Sequence, residues 1–456
     1  MKKVTKYTGK NVLVVGLGKS GLNAAYLLRE LGANVTINDK NTPKDQEILE
    51  NLAQAQIKTV FGSHPLALLK GTDLVVKNPG IPYTNPLIAA AKEAGLLIIT
   101  EPELAFEINE GQTIGVTGTN GKTTTTTLIA LMLEQAQKKA YACGNIGIPA
   151  TQVAKKATSD DTLVMELSSF QLLGITELHP KIAVLTNIYE AHTDYHGSRE
   201  NYVVAKMQLI KNQTAADYFV VNFDNEEWRA LSQQTLAKVV PFSRQGFTKE
   251  GAYEENGILY FKDEAIMPAE EIKVPGTHNI ENALAAIAVA KLEGVSNEAI
   301  VEVLHHFSGV RHRTQYVTMF KERKFYNDSK ATNMEATEKA LAGFKEPVIL
   351  LAGGLDRGFT FERLIPYFKE HVRGLVVFGE TKDLIAQAAK EAGVETIVYA
   401  EDAVAAVPKA YALSRPHETI LLSPACASWD QWKTFEDRGD AFIAAVEKLE
   451  KEETAK

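Results

Sequence analysis

The chain has 456 residues, which on length alone argues for about three domains with several hydrophobic cores. Hydrophobic residues make up 45% and charged residues 23%, as in ordinary globular proteins, and a net charge of −8 argues against nucleic acid as the main partner. Cys143 and Cys426 are the two cysteines, which excludes a disulfide framework and a Cys-x-x-Cys metal site. No apolar run approaches the ~18 residues of a membrane span, and no apolar region follows the N-terminal Met-Lys-Lys. The expectation is a cytoplasmic protein without membrane or nucleic-acid partners.

In chain order, the first hundred residues alternate strand and helix. Residues 11–15 read as a strand. Gly16-Leu-Gly-Lys-Ser-Gly21 turns it into a helix bearing Leu22, Ala25, Leu28 and Leu31, which Gly32 stops. A strand at 35–37 ends at Asn38-Asp39-Lys40, another at 73–77 breaks at Asn78-Pro79-Gly80, and 86–93 is helical before a strand at 96–99. This is a G-x-G-x-x-G fingerprint with an acid about 20 residues on. Taken alone it suggests a nicotinamide-dependent oxidoreductase. Physically it offers a helix N-terminus and glycine amides to any diphosphate, a nucleotide sugar included. Asp39 either receives a ribose or base donor or caps a turn.

Residues 112–128 carry the sharpest signal. Ile114 and Val116 suit a buried strand, and Gly118-Thr119-Asn120-Gly121 forms a small-residue loop. Lys122-Thr123 then opens a helix to about residue 138. Strand, glycine loop, Lys-Thr and helix is the layout that cradles a triphosphate: loop amides face the phosphates, Lys122 supplies charge and a Thr hydroxyl ligates Mg²⁺. The usual first glycine would fall at 116, where this chain has Val116.

Downstream, Cys143-Gly-Asn145-Ile-Gly147 reads as a polar glycine turn. A strand at 162–166 ends in Glu166, an acid placed to hold Mg²⁺ beside the loop. A strand at 181–185 leads to His192, Asp194 and His196. That alternation suggests either a zinc hydrolase, a hard-cation ligand beside phosphates, or a polar surface loop. Residues 200–211 form a helix whose Lys206 is by default a solvated or snorkelling side chain. A strand at 220–222 and short strands and turns across 243–275 follow. Asn279 and Asn282 share one face of an Ala-rich helix running to Leu292, as amides reading a base or ribose would. After a boundary near Phe307 come strands at 315–320 and 324–326, the polar run 327–333, a helix at 334–341, and strands at 348–352, 375–378, 396–399 and 419–422. This is a second doubly wound α/β pattern. The charged stretch 448–456 is expected to fray.

Together Gly118–Thr123, Glu166-Leu-Ser-Ser, His192, Lys206, His278-Asn279-x-x-Asn282, His312-Arg313, Asn327–Asn333 and Ser423–Ser428 resemble the Mur ligases, the ATP-dependent amide ligases of peptidoglycan precursor synthesis. The match runs over essentially the whole chain. Gly144-Asn145-Ile-Gly, Glu166–Gln171 and Ser423–Ser428 are most similar to the branch that adds D-glutamate to UDP-N-acetylmuramoyl-L-alanine.

The resemblance implies three α/β domains: residues 1–100, Rossmann-like, for the UDP group; 101–309, a phosphate-loop domain with a mostly parallel sheet, for ATP; and 310–456, Rossmann-like, for the amino acid and closure over ATP. It turns the first fingerprint into a uridine-diphosphate cradle of Gly18, Lys19, Ser20, Asp39, Lys40, Asn78 and Gly80, with Asn145 and Ser168 at the muramoyl-alanine end. ATP falls to Gly118, Thr119, Asn120, Gly121, Lys122, Thr123, Thr124, Thr125, Asn279, Asn282, Arg313, Asp328 and Lys330. Two Mg²⁺ sites fall to Thr123, Glu166, His192 and a carbamylated Lys206. D-glutamate falls to Thr332, Arg357, Ser428, Trp429 and Phe435. Lys122, His192, Lys206 and Lys330 are the implied catalytic residues, in a monomer. Ala191 before His192, Arg357 in place of Lys and Trp429 in place of a smaller apolar residue depart from relatives. An NAD-linked dehydrogenase and a nucleotide-hydrolysing switch or motor are the alternatives; the first leaves Gly118–Thr123 unexplained, and the second needs no amino-acid substrate.

Overall fold

The computed structural model describes residues 1–454 except Lys44 and Pro275, with the backbone alone for Asp194. It resolves into two compact units, one of Met1–Glu271 with Ile280–Leu304, the other of Ile272–Asn279 with His305–Lys456.

The first unit holds two sheets. Strands β1 (Asn11–Val15), β2 (Asn34–Asp39), β3 (Lys58–Phe61), β4 (Leu74–Lys77) and β5 (Leu97–Ile99) are all parallel in the order β3-β2-β1-β4-β5. Val12 to Val15 are all buried, the continuous apolar run that a strand covered on both faces requires. The nine-stranded sheet comprises β6 (Gln112–Thr117), β7 (Ala140–Gly144), β8 (Thr162–Glu166), β9 (Ile182–Leu185), β10 (Tyr218–Asn222), β11 (Lys238–Ser243), β12 (Ala252–Glu255), β13 (Ile258–Phe261) and β14 (Glu264–Pro268), ordered β14-β13-β12-β11-β10-β9-β6-β8-β7. It is parallel but for the β12–β13–β14 meander at one edge. One continuous core runs from Val12 of the first sheet and Leu28 of the helix Lys19–Glu30 through Leu104 and Ala150 to Met165 and Leu185 of the second sheet.

Topology places the loops of interest. β1 pairs with β2 on one side and β4 on the other, and β6 with β8 and β9. The Gly16–Gly21 and Gly118–Gly121 loops therefore leave their sheets where strand order reverses, the crevice in which open α/β sheets take ligands.

The second unit is built on β15 (Gln315–Phe320), β16 (Arg323–Asn327), β17 (Val348–Gly353), β18 (Val372–Phe378), β19 (Thr396–Tyr399) and β20 (Thr419–Leu422), ordered β15-β16-β20-β17-β18-β19. Only the β15–β16 hairpin is antiparallel.

Several elements escape the sequence pattern, each for a physical reason. The helix Gln46–Gln54 is short, with Ile48 and Leu49 half-buried and Leu52 alone fully buried, and β3 is an edge strand with no buried residue. β7 absorbs Cys143 and Gly144, which read as part of a turn. Of the stretch expected to fray, residues 448–454 continue the last helix, Phe435–Thr454, whose Phe442, Val446 and Leu449 join a core with β16, β17 and β20 residues, and 455–456 lie outside the described residues.

Candidate active site

The phosphate loop is built so that only glycine fits at its two bends. Gly118 has φ +153, and a Cβ there would lie 1.9 Å from Thr186 Oγ1; Gly121 has φ +80, with a Cβ 2.1 Å from Asn282 Oδ1. Val116 is fully buried inside β6, so the missing glycine of the usual pattern falls within the strand rather than the loop. The end of β9 clamps the loop from beside it. Asn187 accepts the Thr119 N–H through its carbonyl (2.9 Å) and the Asn120 N–H through Oδ1 (2.8 Å), and Thr186 Oγ1 donates to Asn120 O at 2.6 Å. The helix Lys122–Gln135 starts at Lys122, with Thr123, Thr124 and Thr125 buried.

Two lysines converge on this loop. Lys122 Nζ donates to Gly118 O (2.9 Å) and Thr119 O (2.8 Å); Lys206 Nζ donates to the same Gly118 O at 2.7 Å. Lys206 is 2% exposed and its ammonium lies 4.5 Å from the Tyr202 ring centre. The expectation of a solvated Lys206 is therefore corrected: the helix Arg199–Met207 turns Tyr202, Val203 and Lys206 inward together. Burial, and then the Lys122 charge, hold the Lys206 amine well below the usual lysine pKa.

Glu166 closes β8 beside Val116 of β6. Its Oε1 accepts the Asn145 amide at 2.7 Å, while Oε2 is buried with no hydrogen-bond partner. An unpartnered carboxylate oxygen beside a phosphate loop is what a divalent cation completes, so the residues present fit Mg²⁺. Ser168 caps the helix Ser169–Leu172 through a reciprocal box with Gln171, its hydroxyl donating to Gln171 Oε1 at 3.0 Å. His192 is exposed, at φ 55, with the Phe170 ring 5.0 Å away edge-on. The zinc-hydrolase reading finds no support in His196, which is buried, bonded through Nε2 to Ser169 Oγ at 3.0 Å and stacked on Phe170. Among the described residues, the acids or histidines whose ligand atoms close together are Glu103, Glu107 and Glu177, where Lys6 already pairs with the last two.

In the first sheet the helix Lys19–Glu30 opens on Gly18, leaving the amides of Lys19 and Ser20 at its N-terminus. A Cβ on Gly16 or Gly18 would strike Asn78 at 2.6 Å, so Asn78 lies against both glycines, and its Oδ1 accepts the Gly80 N–H. Asp39 holds this loop from below: Oδ2 accepts Leu17 N–H and Oδ1 accepts Asn41 N–H, both at 2.8 Å. Its carboxylate thus serves the turn. Lys40 is exposed.

In the first unit Asn282 lies beside Thr125, Oδ1 at 3.5 Å from Thr125 Oγ1. Asn279 is grouped with the second unit and is buried. There Asp328 is buried, accepting Thr314 N–H (2.9 Å) and Ser423 Oγ–H (2.8 Å), and burial pushes its pKa up to about 6. Lys330 lies 5.8 Å from the Phe435 ring, and its N–H donates to His312 O; Arg313 and Thr332 are half-buried near by in sequence. A separate pair is formed by Arg357 and Trp429, guanidinium 4.9 Å from the indole, with Ser428 buried and its hydroxyl without a partner. Of the expected glutamate residues, Phe435 thus faces Lys330 and Trp429 faces Arg357.

Sequence reasoning passes over Thr186, Asn187 and Arg438. Arg438 is fully buried and donates to Ser329 Oγ (3.0 Å), Ser329 O (2.9 Å) and Cys426 O (3.1 Å), pinning two loops at strand ends. Burial lowers its pKa to about 10. The available signal is an arginine in the first turn of an otherwise amphipathic helix, followed by Gly439, whose Cβ would lie 2.1 Å from His312 Nδ1.

A diphosphate-type loop and a triphosphate loop with a buried metal-seeking acid define a nucleotide-binding α/β protein, and the second α/β unit carries its own polar strand-end cluster. Residues 10–100 match the MurD-like N-terminal domain of Mur ligases, 116–290 the Mur ligase middle domain and 312–426 the Mur ligase glutamate ligase domain. The chain belongs to the Mur ligase family, with its three-domain α/β fold. The UDP-N-acetylmuramoylalanine–D-glutamate ligase of Ligilactobacillus salivarius is 68% identical over 454 residues, covering 99% of either chain. That of Latilactobacillus sakei is 60% identical, covering 98% of this chain and all of its own. Among solved structures, the UDP-N-acetylmuramate-alanine ligase of Thermotoga maritima aligns with a TM-score of 0.56 at 20% identity, covering 98% of this chain and 100% of that one. The MurF ligase of the same organism, in complex with ADP, gives 0.53 at 16%, covering 97% and 96%. At such identities the likeness concerns fold alone.

Proposed function

We propose that this chain joins D-glutamate to UDP-N-acetylmuramoyl-L-alanine, at the expense of ATP, in peptidoglycan precursor synthesis. The two relatives of that name, 68% and 60% identical across nearly the whole chain, support the choice of substrates. The observation that carries the chemistry is the Glu166 carboxylate, one oxygen held by Asn145 and the other unpartnered, in the strand next to the Lys122 loop.

A carboxylate repels an amine and has a poor leaving group, so it must first be activated. An alanyl carboxylate oxygen attacks the γ-phosphorus of ATP; the bond to the β–γ bridging oxygen breaks and ADP departs. The D-glutamate amine then attacks the acyl carbon of the acyl phosphate. The C–O bond breaks, phosphate leaves with that oxygen, and the amine loses a proton. Catalysis of the first step is positioning and charge neutralisation. Loop amides and the helix N-terminus at Lys122 receive the phosphates, and Lys122 exchanges its loop carbonyls for phosphoryl oxygens. Asn279, Asn282, Arg313, Asp328 and Lys330 are assigned to ATP, and Thr332, Arg357, Ser428, Trp429 and Phe435 to D-glutamate. The Gly16–Gly21 loop with Asn78 and Gly80 takes the uridine diphosphate.

Mur ligases use ATP and Mg²⁺. Thr123 and Glu166 would hold one Mg²⁺, His192 and modified Lys206 a second, and bound Mg²⁺ would offset charge on the transferring phosphoryl group. Lys206 suits carbamylation. Its depressed pKa favours the neutral amine, which adds CO₂ with loss of one proton, and the product sets an anion near the Lys122 cation. No helix among the described residues is long and apolar enough to cross a membrane.

The test is phosphate release from ATP with UDP-N-acetylmuramoyl-L-alanine present, with and without D-glutamate. D-glutamate-dependent release is expected. Turnover that ignores D-glutamate but responds to another amino acid moves the assignment to a sister ligase.

A further inference from the structure

Lys77 closes β4 with its side chain wholly buried. Its Nζ lies within hydrogen-bond reach of four oxygens, Ile81 O (2.8 Å), the Tyr195 hydroxyl (3.0 Å), Pro79 O (3.1 Å) and Asn78 O (3.2 Å), which share its N–H groups. The rings of Tyr83 and Tyr195 stand 5.0 and 5.7 Å from it. The charge is held by carbonyls, a phenol and π faces, with no carboxylate among these partners. Burial lowers its pKa to about 7. A buried amine is costly unless its hydrogen bonds are needed, and a methionine would fill the same space without that cost.

What sets the cage apart is where its walls come from. Asn78, Pro79 and Ile81 belong to the loop that lies against Gly16 and Gly18. Tyr195 belongs to the short helix Thr193–His196, whose N-cap is His192. The Tyr195 hydroxyl also lies 3.2 and 3.0 Å from the carbonyls of Pro79 and Ile81. Its ring meets Phe170 edge-on at 4.4 Å, and Phe170 in turn meets His192 at 5.0 Å and stacks on His196 at 5.4 Å. Tyr83 adds a second tie, its hydroxyl donating to Leu173 O at 3.2 Å. His192 sits in the left-handed region, φ 55 and ψ 33, which a non-glycine residue keeps only while its surroundings hold it.

We infer that Lys77 is a positioning residue that couples the substrate-diphosphate loop at Asn78–Ile81 to the turn that presents His192. The inference rests on the proposed roles of Asn78 and Gly80 toward the diphosphate and of His192 toward Mg²⁺. Lys77 itself touches neither. A diphosphate that orders the 78–81 carbonyls orders the ammonium, the ammonium fixes Tyr195, and Tyr195 with Phe170 fixes His192. Linkage then makes the two ligands help each other equally.

The experiment measures half-saturating free Mg²⁺ at low and at saturating UDP-N-acetylmuramoyl-L-alanine, for wild type, Lys77→Met and Tyr195→Phe. In wild type the substrate should lower half-saturating Mg²⁺ by about fivefold or more, the lower end of usual coupling. Lys77→Met should abolish that dependence and raise KM for the UDP substrate about tenfold, with KM for ATP and D-glutamate unchanged. Tyr195→Phe keeps the ring, loses only the hydroxyl, and should move the same two quantities in the same direction; it decides the matter if Lys77→Met fails to fold. The inference is overturned if wild type shows no such coupling, if both quantities stay at wild-type values in folded variants, or if the KM values for ATP and D-glutamate rise as much as that for the UDP substrate. Wild-type protein that turns over ATP without regard to D-glutamate overturns the functional assignment instead, a result read before any variant is made.

Discussion

Glu166→Gln separates a metal ligand from a structural acid by reversing sign with magnesium. The amide has nearly the same volume, and its carbonyl can keep the 2.7 Å bond from Asn145. What changes is Oε2, buried and without a partner in the folded chain. Without metal, an unsatisfied buried polar atom costs about 1–3 kcal/mol, more when charged, so exchanging it for a neutral amide should leave the unfolding midpoint unchanged or higher. With metal the balance turns. A ligand that binds only the folded state adds RT ln(1 + [L]/Kd), about 2.7 kcal/mol at one hundred times Kd, and loss of the carboxylate should remove that gain. The assay is thermal unfolding with MgCl₂ titrated at fixed ADP, run beside the ligase rate. Wild type should show a midpoint that climbs with Mg²⁺. Glu166→Gln should show a clearly shallower climb, with the second Mg²⁺ site left in place, and a rate lower by about a hundredfold to a thousandfold. A variant that climbs like wild type, or that melts well below it without metal, would refute the metal role.

Two further outcomes follow from particular contacts. Trp429→Leu removes the indole beneath Arg357; an exposed cation–π contact contributes about 0.5–1 kcal/mol, so KM for D-glutamate should rise about twofold to fivefold with KM for ATP unchanged, as initial-rate kinetics would show. Glu101 is fully buried, accepts Thr151 N–H and Oγ1–H at 2.6 Å, and is pushed by burial to about 7. An acid raised in the fold keeps its full stability below its unfolded pKa and loses it as pH rises through about 7. Denaturant titrations should therefore find Glu101→Gln close to wild type at pH 4.5 but more stable at pH 8, by an amount on the order of 3 kcal/mol. Equal stabilities at both pH values would contradict the burial argument.

How much of this was legible beforehand depends on whether a feature is local. The loop Gly118–Gly121 and the strand 162–166 announce themselves because glycine at a bend and an apolar β-branched run are local signals, and the helix does begin at Lys122. Lys206 does not, because a lysine on a helix is solvated by default and only tertiary packing against Gly118 O and Tyr202 reveals its burial. His192 and His196 look equivalent in sequence, yet a four-residue helical turn sends one outward and the other onto Ser169. Asp39 reads by spacing as a ribose acceptor or a turn cap, and the fold supplies what spacing does not, the Leu17 and Asn41 N–H groups that its oxygens accept. Lys77 is the extreme case, since its partners at 78–81 and at 195 meet only through packing. Nothing in an apolar strand ending in lysine predicts that cage.

The central claim is that ATP activates the alanyl carboxylate by phosphorylating it. With UDP-N-acetylmuramoyl-L-alanine carrying ¹⁸O in that carboxylate, the bridging oxygen of the acyl phosphate comes from the substrate and leaves with phosphorus. Mass spectrometry of the released phosphate should therefore find one substrate-derived ¹⁸O per phosphate, formed together with ADP and only when D-glutamate is present. Phosphate free of label, released at the same rate as product, would contradict the account.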